Sequence, residues 1–256
     1  MMKERTLRVL EFTKIRDRLA SKAMTDMGRE RCEALVPSSN MTEIQRMQAE
    51  TEEATVILQY VGASPLGPFS DVRASLTLAE KGATLSPKAL LEVAALMQSA
   101  RAARKALDTE RDNTPILKEL AQRLSTLHNV EQDITNAIIS EDEIADRASN
   151  ELMDIRRHLR GANERIKEKL NQMIRSSAFQ KYLQDPIVTM RNARYCLPVK
   201  AEYRGSVPGL VHDQSSTGAT LFIEPMAAVG MGNELKTWAA KEKQEIERIL
   251  AALSAE

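Results

Sequence analysis

The sequence predicts a mainly α-helical protein: a helical core, then two long antiparallel lever helices with a small antiparallel β-sheet inserted between them. Apolar residues recur every three or four positions along most of the 256-residue chain, which is the spacing of helices with one buried face. Ser, Thr or Asn precedes several of these segments, twice with Pro directly after it, as at helix starts. Residues 186–225 alone gather short runs of Val, Ile, Tyr, Thr and Phe between Gly, Pro, Asn and Ser, a pattern typical of strands and turns.

Composition limits the function classes only broadly. The chain is 43% hydrophobic, and its aromatic content of 4% favours packing of Leu- and Ala-rich helices over an aromatic-lined ligand pocket. Its formal net charge is zero, so total charge indicates no particular partner. Cys32 and Cys196 lie too far apart for a metal-binding spacing and fit free thiols in a reducing cytoplasm. Because there is no signal peptide and no long apolar run, we expect a cytoplasmic protein without a membrane partner.

Residues 1–140 are predicted to form a helical core domain. Each helix is assigned from an apolar repeat, and start signals precede four of them, at Asn40 or Thr42, Asp71, Ser86-Pro87 and Thr114-Pro115. The helices are expected over residues 6–35 (as one or two helices), 42–60, 71–82, 87–109, 115–127 and 130–139.

Residues 141–256 are predicted to form a lever arm. Between residues 142 and 183 there is no Pro and a single Gly, and apolar residues recur in the steps of a coiled-coil seam. About 40 residues at roughly 1.5 Å each would give a rod of about 60 Å. A second helix follows the sheet, although its seam is interrupted between Trp238 and Ile246, and its pattern continues to Glu256 without a stop signal. We therefore expect an antiparallel helix pair within a longer protein; the alternative is that both helices lie flat in a compact bundle.

Residues 186–225 are predicted to be a β-rich, clamp-like tip between the lever helices. The strands are expected over residues 187–191, 195–201, 210–213 and 220–223, with a tight turn at Asn192-Ala193. A sheet of this size is marginal alone, so the neighbouring helices must support it.

Positive charge is concentrated around this tip. Between residues 154 and 204 there are twelve Lys or Arg and five Asp or Glu, a net charge of +7. A basic arm on a neutral protein fits a polyanion such as nucleic acid, contacted through phosphates without sequence readout. The alternative is a solvated helix surface, which is common in coiled coils. The candidate nucleic-acid-binding residues are Arg156, Arg157, Arg160, Arg165, Lys167, Arg191, Arg194, Lys200 and Arg204.

No catalytic or metal-binding residue is predicted in this chain. The phosphate-binding motifs GxxxxGK(S/T) and GxGxxG are absent from the sequence, so no nucleotide cofactor is expected here. His212, Asp213 and Ser215 could suggest a catalytic triad, but adjacent strand residues point to opposite faces unless a bulge intervenes. His128 and His158 are isolated, with no metal-ligand partner at helical spacing.

Three stretches of the sequence resemble the type-two subfamily of MutS proteins. They read TLRVLEFTKIRDRLA, SPLGPFSDVRASLTLAEKGATLSPKALLEV, and RYCLPVKAEYRGSVPGLVHDQSSTGATLFIEP followed by NEL. The resemblance covers essentially the whole chain, and the third stretch is the most specific. One departure is Asn192-Ala193-Arg194, where the family usually has Asn-Gly-Arg. Because Ala resists the positive φ of a two-residue hairpin, a wider turn is predicted.

The resemblance implies a helical core, two lever helices and a small β-clamp that touches DNA. It also implies an ATPase domain, with ATP and Mg, and a nuclease domain beyond Glu256. The intact protein would be a homodimeric DNA-binding ATPase and endonuclease that suppresses homologous recombination, with collided ribosomes and rRNA as further partners.

Two hypotheses for the chain itself follow. In one, the basic arm grips the backbone of branched or duplex DNA. In the other, the arm is a mechanical lever or protein-interaction module, for example at a collided ribosome. A single contiguous face of arginines would favour the first hypothesis, and scatter around the rod would favour the second.

Overall fold

The structure, a computed structural model, describes residues 4–62, 64, 66–108 and 113–256. It is mainly helical with small antiparallel sheets, as predicted. The chain divides into two compact units. The first comprises the described residues up to Ala145 together with Leu250–Glu256, and the second comprises Asp146–Ile249.

Two of the four predicted helix caps in the first unit are confirmed, whereas Asp71 lies one residue before the actual cap position and the Thr114 side chain accepts no capping hydrogen bond. The side chain of Asn40 accepts hydrogen bonds from the N–H groups of Thr42 and Glu43, and Ser86 accepts one from Ala89. Its elements are α1 (Glu4–Val9), α2 (Phe12–Ala20), α3 (Asp26–Glu33), α4 (Met41–Val61), α5 (Arg73–Glu80), α6 (Pro87–Leu107), α7 (Pro115–Gln122), α8 (His128–Ala137), β1 (Ile138–Ser140) and β2 (Glu143–Ile144).

Several predicted boundaries in this unit were wrong. Residues 6–35 contribute to three helices, and α7 ends five residues before the predicted end. The predicted end of the preceding helix, Thr109, lies outside the described residues. The hairpin of β1 and β2 was not predicted, because a run of three residues around buried Ile138 reads equally well as the last turn of α8.

Two buried carboxylates connect the helices of the first unit. Glu53 of α4 accepts the N–H groups of Ile116 (3.2 Å) and Leu117 (2.8 Å), which are orphan donors at the start of α7. Glu131 of α8 accepts two hydrogen bonds from Arg101 of α6, at 3.0 and 2.7 Å. This bond lowers the pKa of Glu131 below its usual range.

The second unit holds a shorter lever helix than predicted. Its elements are a 3-10 turn (Asp146–Ala148), α9 (Asn150–Arg175), α10 (Ser177–Gln180), β3 (Thr189–Arg191), β4 (Arg194–Lys200), a 3-10 segment (Ala201–Ser206), β5 (Gly209–Gln214), β6 (Thr220–Pro225) and α11 (Met226–Ala255) as far as Ile249. The 26 residues of α9 rise about 39 Å, not about 60 Å. Ser149 caps its start by accepting the N–H of Leu152, and the helix ends before Ser176. An apolar repeat alone does not reveal such breaks.

The four strands β3 to β6 form one antiparallel sheet in the order β3-β4-β6-β5. Arg191 pairs with Arg194, so Asn192 and Ala193 form a two-residue turn with φ values of 49° and 59°. The tight turn predicted from the strand pattern is therefore confirmed, and the wider turn predicted from the departure at Ala193 was wrong. The Asn192 side chain donates to the carbonyl of His212 (3.0 Å), which helps to hold the turn in place.

That hydrogen bond also shows that the sheet is curled. The turn that contains Asn192 joins β3 to β4, and His212 lies on β5, two strands away from β4. In a flat sheet β4 and β5 would be about 10 Å apart, which is too far for an Asn side chain to bridge.

One face of the sheet forms a common core with α9 and the start of α11. The buried members of this cluster are Ile166, Leu170, Ile174, Leu183, Leu197, Val199, Val207, Ile223 and Ala228. The neighbouring helices thus supply the support that a sheet of this size requires.

The Glu53 contacts yield a stability prediction. Replacing Glu53 with Gln places an amide where two N–H donors need acceptors, so the free energy of unfolding should fall by about 1–3 kcal/mol. Glu52→Gln, at the exposed neighbouring position, should change it by less than about 0.5 kcal/mol. Urea unfolding of both variants measures the difference, and equal stabilities would contradict the assigned role of Glu53.

Candidate nucleic-acid interface

α9 and α11 lie side by side and antiparallel. Their side-chain contacts are Ser149–Glu245 (2.6 Å), Arg156–Glu242 (2.6 Å), His158–Trp238 (ring centroids 4.4 Å apart) and Arg165–Glu234 (2.9 Å). Residue numbers rise along α9 while they fall along α11, which confirms the predicted antiparallel arrangement.

Trp238 occupies the middle of this helix pair. Its indole ring stacks on His158 with an interplanar angle of 3°, and the Lys241 ammonium lies 4.3 Å from the ring centroid. The predicted interruption of the apolar seam after Trp238 is thus a stretch where polar and aromatic contacts join the helices. Such contacts fix the register of two helices more specifically than apolar packing does.

Arg156 is a structural residue of the helix pair. Its guanidinium lies 2.6 Å from Asp146 and 2.6 Å from Glu242, and its side chain is 19% exposed. Hydrogen bonds from Arg156 and then Arg160 lower the pKa of Asp146. Moving Arg156 to a phosphate would leave two carboxylates without their shared cation.

Three other candidate arginines of α9 form exposed ion pairs. Their partners are Asp154 for Arg157 (2.5 Å), Asp146 for Arg160 (3.0 Å) and Glu234 for Arg165 (2.9 Å). Exposed pairs of this kind contribute at most about 1 kcal/mol, so these arginines can exchange partners.

A buried carboxylate organises the sheet end of the unit. Glu224 of β6 is fully buried, 3.2 Å from Arg194 Nη1 and 2.7 Å from His212 Nε2. Arg194 also donates to Asn233 of α11 (2.9 Å). A Cβ atom at Gly232 would collide with the Glu224 carboxylate, so a side chain at this turn of α11 would displace the cluster.

A bulge in β5 brings His212 into this cluster. Val211 pairs with Ile223 and Asp213 pairs with Phe222, which leaves His212 as the extra residue. His212 meets Glu224, whereas Asp213 lies 3.2 Å from Arg191, so the two do not act as a triad. Within the described ranges no group of His, Cys, Asp and Glu side chains could hold a metal ion.

The remaining candidate cations also contact the protein itself. The Arg191 guanidinium lies 4.1 Å from the Phe222 ring centroid, and Lys167 lies 5.9 Å from the Tyr195 ring centroid. Lys200 Nζ lies 3.5 Å from the carbonyl of Lys181, and Arg204 donates to the carbonyls of Val207 (3.5 Å) and Gly209 (3.2 Å).

The candidate arginines do not share one face. Arg156 and Arg165 are nine residues apart on α9, which is two and a half turns, so they lie on opposite flanks of the helix. Each pairs with a carboxylate of α11 from its own side. The distribution therefore matches the one expected for a lever more closely than the one expected for a single phosphate-binding face.

Known proteins match this chain over its entire length. Endonuclease MutS2 of Symbiobacterium thermophilum is 48% identical over 253 residues, covering 99% of this chain and 32% of that protein. The Endonuclease MutS2 proteins of Acetivibrio thermocellus and Bacillus mycoides are 46% and 45% identical, each over 100% of this chain and over 32% and 33% of their own lengths. The chain belongs to the MutS2 family. It spans about a third of the length of these curated MutS2 relatives.

No family model matches the chain. None of the helices in the described ranges is both long and apolar enough to cross a membrane.

Sequence reasoning missed the Glu224 cluster of this MutS2 chain. A lone Glu at the end of an apolar strand carries no partner information, and Arg194 lies 30 residues away. The one available signal was glycine in a helical pattern, at Gly230 and Gly232, which often marks close packing. Cys196 is also buried here, and burial raises the pKa of its thiol to about 11.

Two helix glycines yield opposite predictions. Gly161 in α9 has room for a Cβ atom, whose nearest neighbour would be the flexible end of Arg165 at 3.5 Å, so Gly161→Ala should stabilise the fold by up to about 1 kcal/mol. Gly232→Ala should destabilise it by about 1–3 kcal/mol, because the new Cβ would also lie 2.8 Å from Arg194 Nη1. Thermal unfolding of both variants checks the pair. A stabilised Gly232→Ala variant would contradict the described packing.

Proposed function

We propose that this chain is the nucleic-acid-contacting lever region of a MutS2-type endonuclease. The positive charge of the second unit, with 17 Lys or Arg against 13 Asp or Glu, supports the proposal. This charge is held on an antiparallel helix pair and a curled sheet, and the relatives of the chain carry the name endonuclease.

The contact takes place at the phosphate backbone. Lys and Arg side chains at the protein surface attract any nucleic-acid sequence alike, because phosphates carry no sequence information. Of the nine residues predicted for this contact, Arg156 and Arg194 are 19% and 18% exposed and act instead within the fold. The other seven remain candidates for this contact: Arg157, Arg160, Arg165, Lys167, Arg191, Lys200 and Arg204.

A second candidate function is that of a mechanical lever or protein-interaction module. The pairing of Arg156 and Arg165 with α11 on opposite flanks of α9 favours it, since these arginines join two helices. In this function the helix pair transmits movement to or from the sheet end, whose partner is a second protomer or a collided ribosome.

The whole protein is proposed to be a homodimeric endonuclease that uses ATP and Mg and suppresses homologous recombination. Binding to collided ribosomes through rRNA is its proposed second role. The chain is proposed to supply binding and leverage to these activities, while ATP hydrolysis and strand cleavage are assigned to other parts of the protein.

Salt-dependent binding tests the nucleic-acid proposal. The chain should bind duplexes of unrelated sequence with equal affinity. The log–log slope against salt should be about −0.9 for each phosphate contact. Fluorescence anisotropy with labelled duplexes measures both quantities. Absence of binding at low salt, or an affinity independent of salt, would overturn the proposal and leave the lever function.

A further inference from the structure

We propose that the main contact with duplex DNA lies at the base of the sheet, on a patch formed by Arg175, Lys181 and Lys200, called here the sheet-base patch. The inference deepens the proposed function and rests on it. Arg175 and Lys181 were not among the predicted contact residues. The partners of each cation in the second unit support this site.

Cations of the second unit divide into two classes. Those with a carboxylate partner are Arg156, Arg157, Arg160, Arg165, Arg191, Arg194, Lys243 and Arg248. Six of those for which the described residues supply no carboxylate lie between residues 167 and 204, and they are Lys167, Lys169, Arg175, Lys181, Lys200 and Arg204. Three carboxylates of the same stretch, Glu168, Asp185 and Glu202, likewise have no cation partner among the described residues, so the unpaired groups there carry a net charge of +3. The excess positive charge therefore lies toward the sheet, and not along the first half of α9.

The chain segments that carry Arg175, Lys181 and Lys200 are joined by a continuous set of contacts. Lys200 donates its backbone N–H to the carbonyl of Tyr182 (3.0 Å), and its Nζ lies 3.5 Å from the carbonyl of Lys181. Phe179 packs edge-on against Tyr182, with ring centroids 5.9 Å apart, and its N–H donates to Ser176, the residue after Arg175. The patch thus spans the end of α9, α10 and the end of β4.

Arg204 lies near the patch but has a separate task. It follows Tyr203, whose ring lies 5.3 Å from that of Tyr182. Its guanidinium, however, donates to the carbonyls of Val207 and Gly209 and so fastens the loop before β5.

The absence of carboxylate partners in the described residues favours the sheet-base patch over the arginines of α9. When an ion-paired arginine turns to a phosphate, the carboxylate that it leaves repels the same phosphate. A cation without such a partner leaves no carboxylate behind, and the counterions that it releases drive binding. Lys181 and Arg175 are exposed and Lys200 is half-buried, so phosphates can reach all three.

The aromatic residues of the second unit favour duplex over single-stranded nucleic acid. Binding of single strands relies on free aromatic faces on which bases stack. Here Trp238 is covered by His158 and Lys241, Phe222 by Arg191, and Tyr182 by Phe179 and Tyr203. Since the patch offers cations but its tyrosine is already occupied, its occupant is the backbone of duplex DNA.

Two matched double variants of the full chain test the inference. Lys181→Ala with Lys200→Ala, and Arg157→Ala with Arg160→Ala, each remove two positive charges from the second unit. Both therefore reduce long-range attraction equally. The lysine variant should flatten the salt slope of duplex DNA binding by about 1.8, which corresponds to two lost contacts. The arginine variant should change it by less than half as much.

Thermal unfolding establishes that both variants are folded. If the lysine variant unfolds early, Arg175→Ala with Lys181→Ala replaces it, because both side chains are exposed. Equal effects of the two variants, or a larger effect of the arginine variant, would overturn the sheet-base patch and leave the proposed function standing. A larger effect on single strands or on duplex RNA than on duplex DNA would overturn the choice of ligand. A wild-type chain that binds no nucleic acid would overturn the proposed function as well.

Discussion

The sheet end of the second unit depends on satisfying one carboxylate. Glu224 is fully buried, and a buried carboxylate without partners would destabilise the fold by several kcal/mol. Its partners come from two other strands, Arg194 on β4 and His212 on the bulge of β5. α11 can approach this cluster because residue 232 is glycine, and Asn233 of the next position accepts a hydrogen bond from Arg194. One buried group thus fixes three strands and a helix in relation to each other.

Ion pairing also separates the basic residues of the chain into those that stabilise the fold and those that are able to bind a ligand. Arg156 and Arg194 are held by carboxylates in poorly exposed positions, so they serve the fold. Arg157, Arg160 and Arg165 are paired but exposed, and they can exchange partners at little energetic cost. A net charge therefore indicates a binding surface only after the internal ion pairs have been subtracted. In this chain the subtraction moves the expected contact from the first half of α9 to the base of the sheet.

Signals between neighbouring residues predicted the secondary structure well. Several features that depend on contacts between residues distant in sequence were not predicted. Asn40 and Ser86 cap the helices expected from the sequence, because a cap involves only residues two or three positions away. Each strand of the sheet was located to within two residues at its ends. The length of α9 was overestimated, and the turn at Ala193 was expected to be wider than it is. Partners such as Arg156 and Glu242 are 86 residues apart, so no sequence pattern could indicate that the arginine was occupied.

The antiparallel pairing of α9 and α11 underlies both proposed functions, and Trp238 allows the most direct test of it. It is the only tryptophan of the chain, so the resonances of its indole ring are unambiguous in an NMR spectrum. With ring centroids 4.4 Å apart, His158 and Trp238 should show ring-to-ring nuclear Overhauser effects, and these should vanish in a His158→Ala variant. Their absence from the folded wild-type chain would contradict the pairing, and with it the platform on which the sheet and its cations are held.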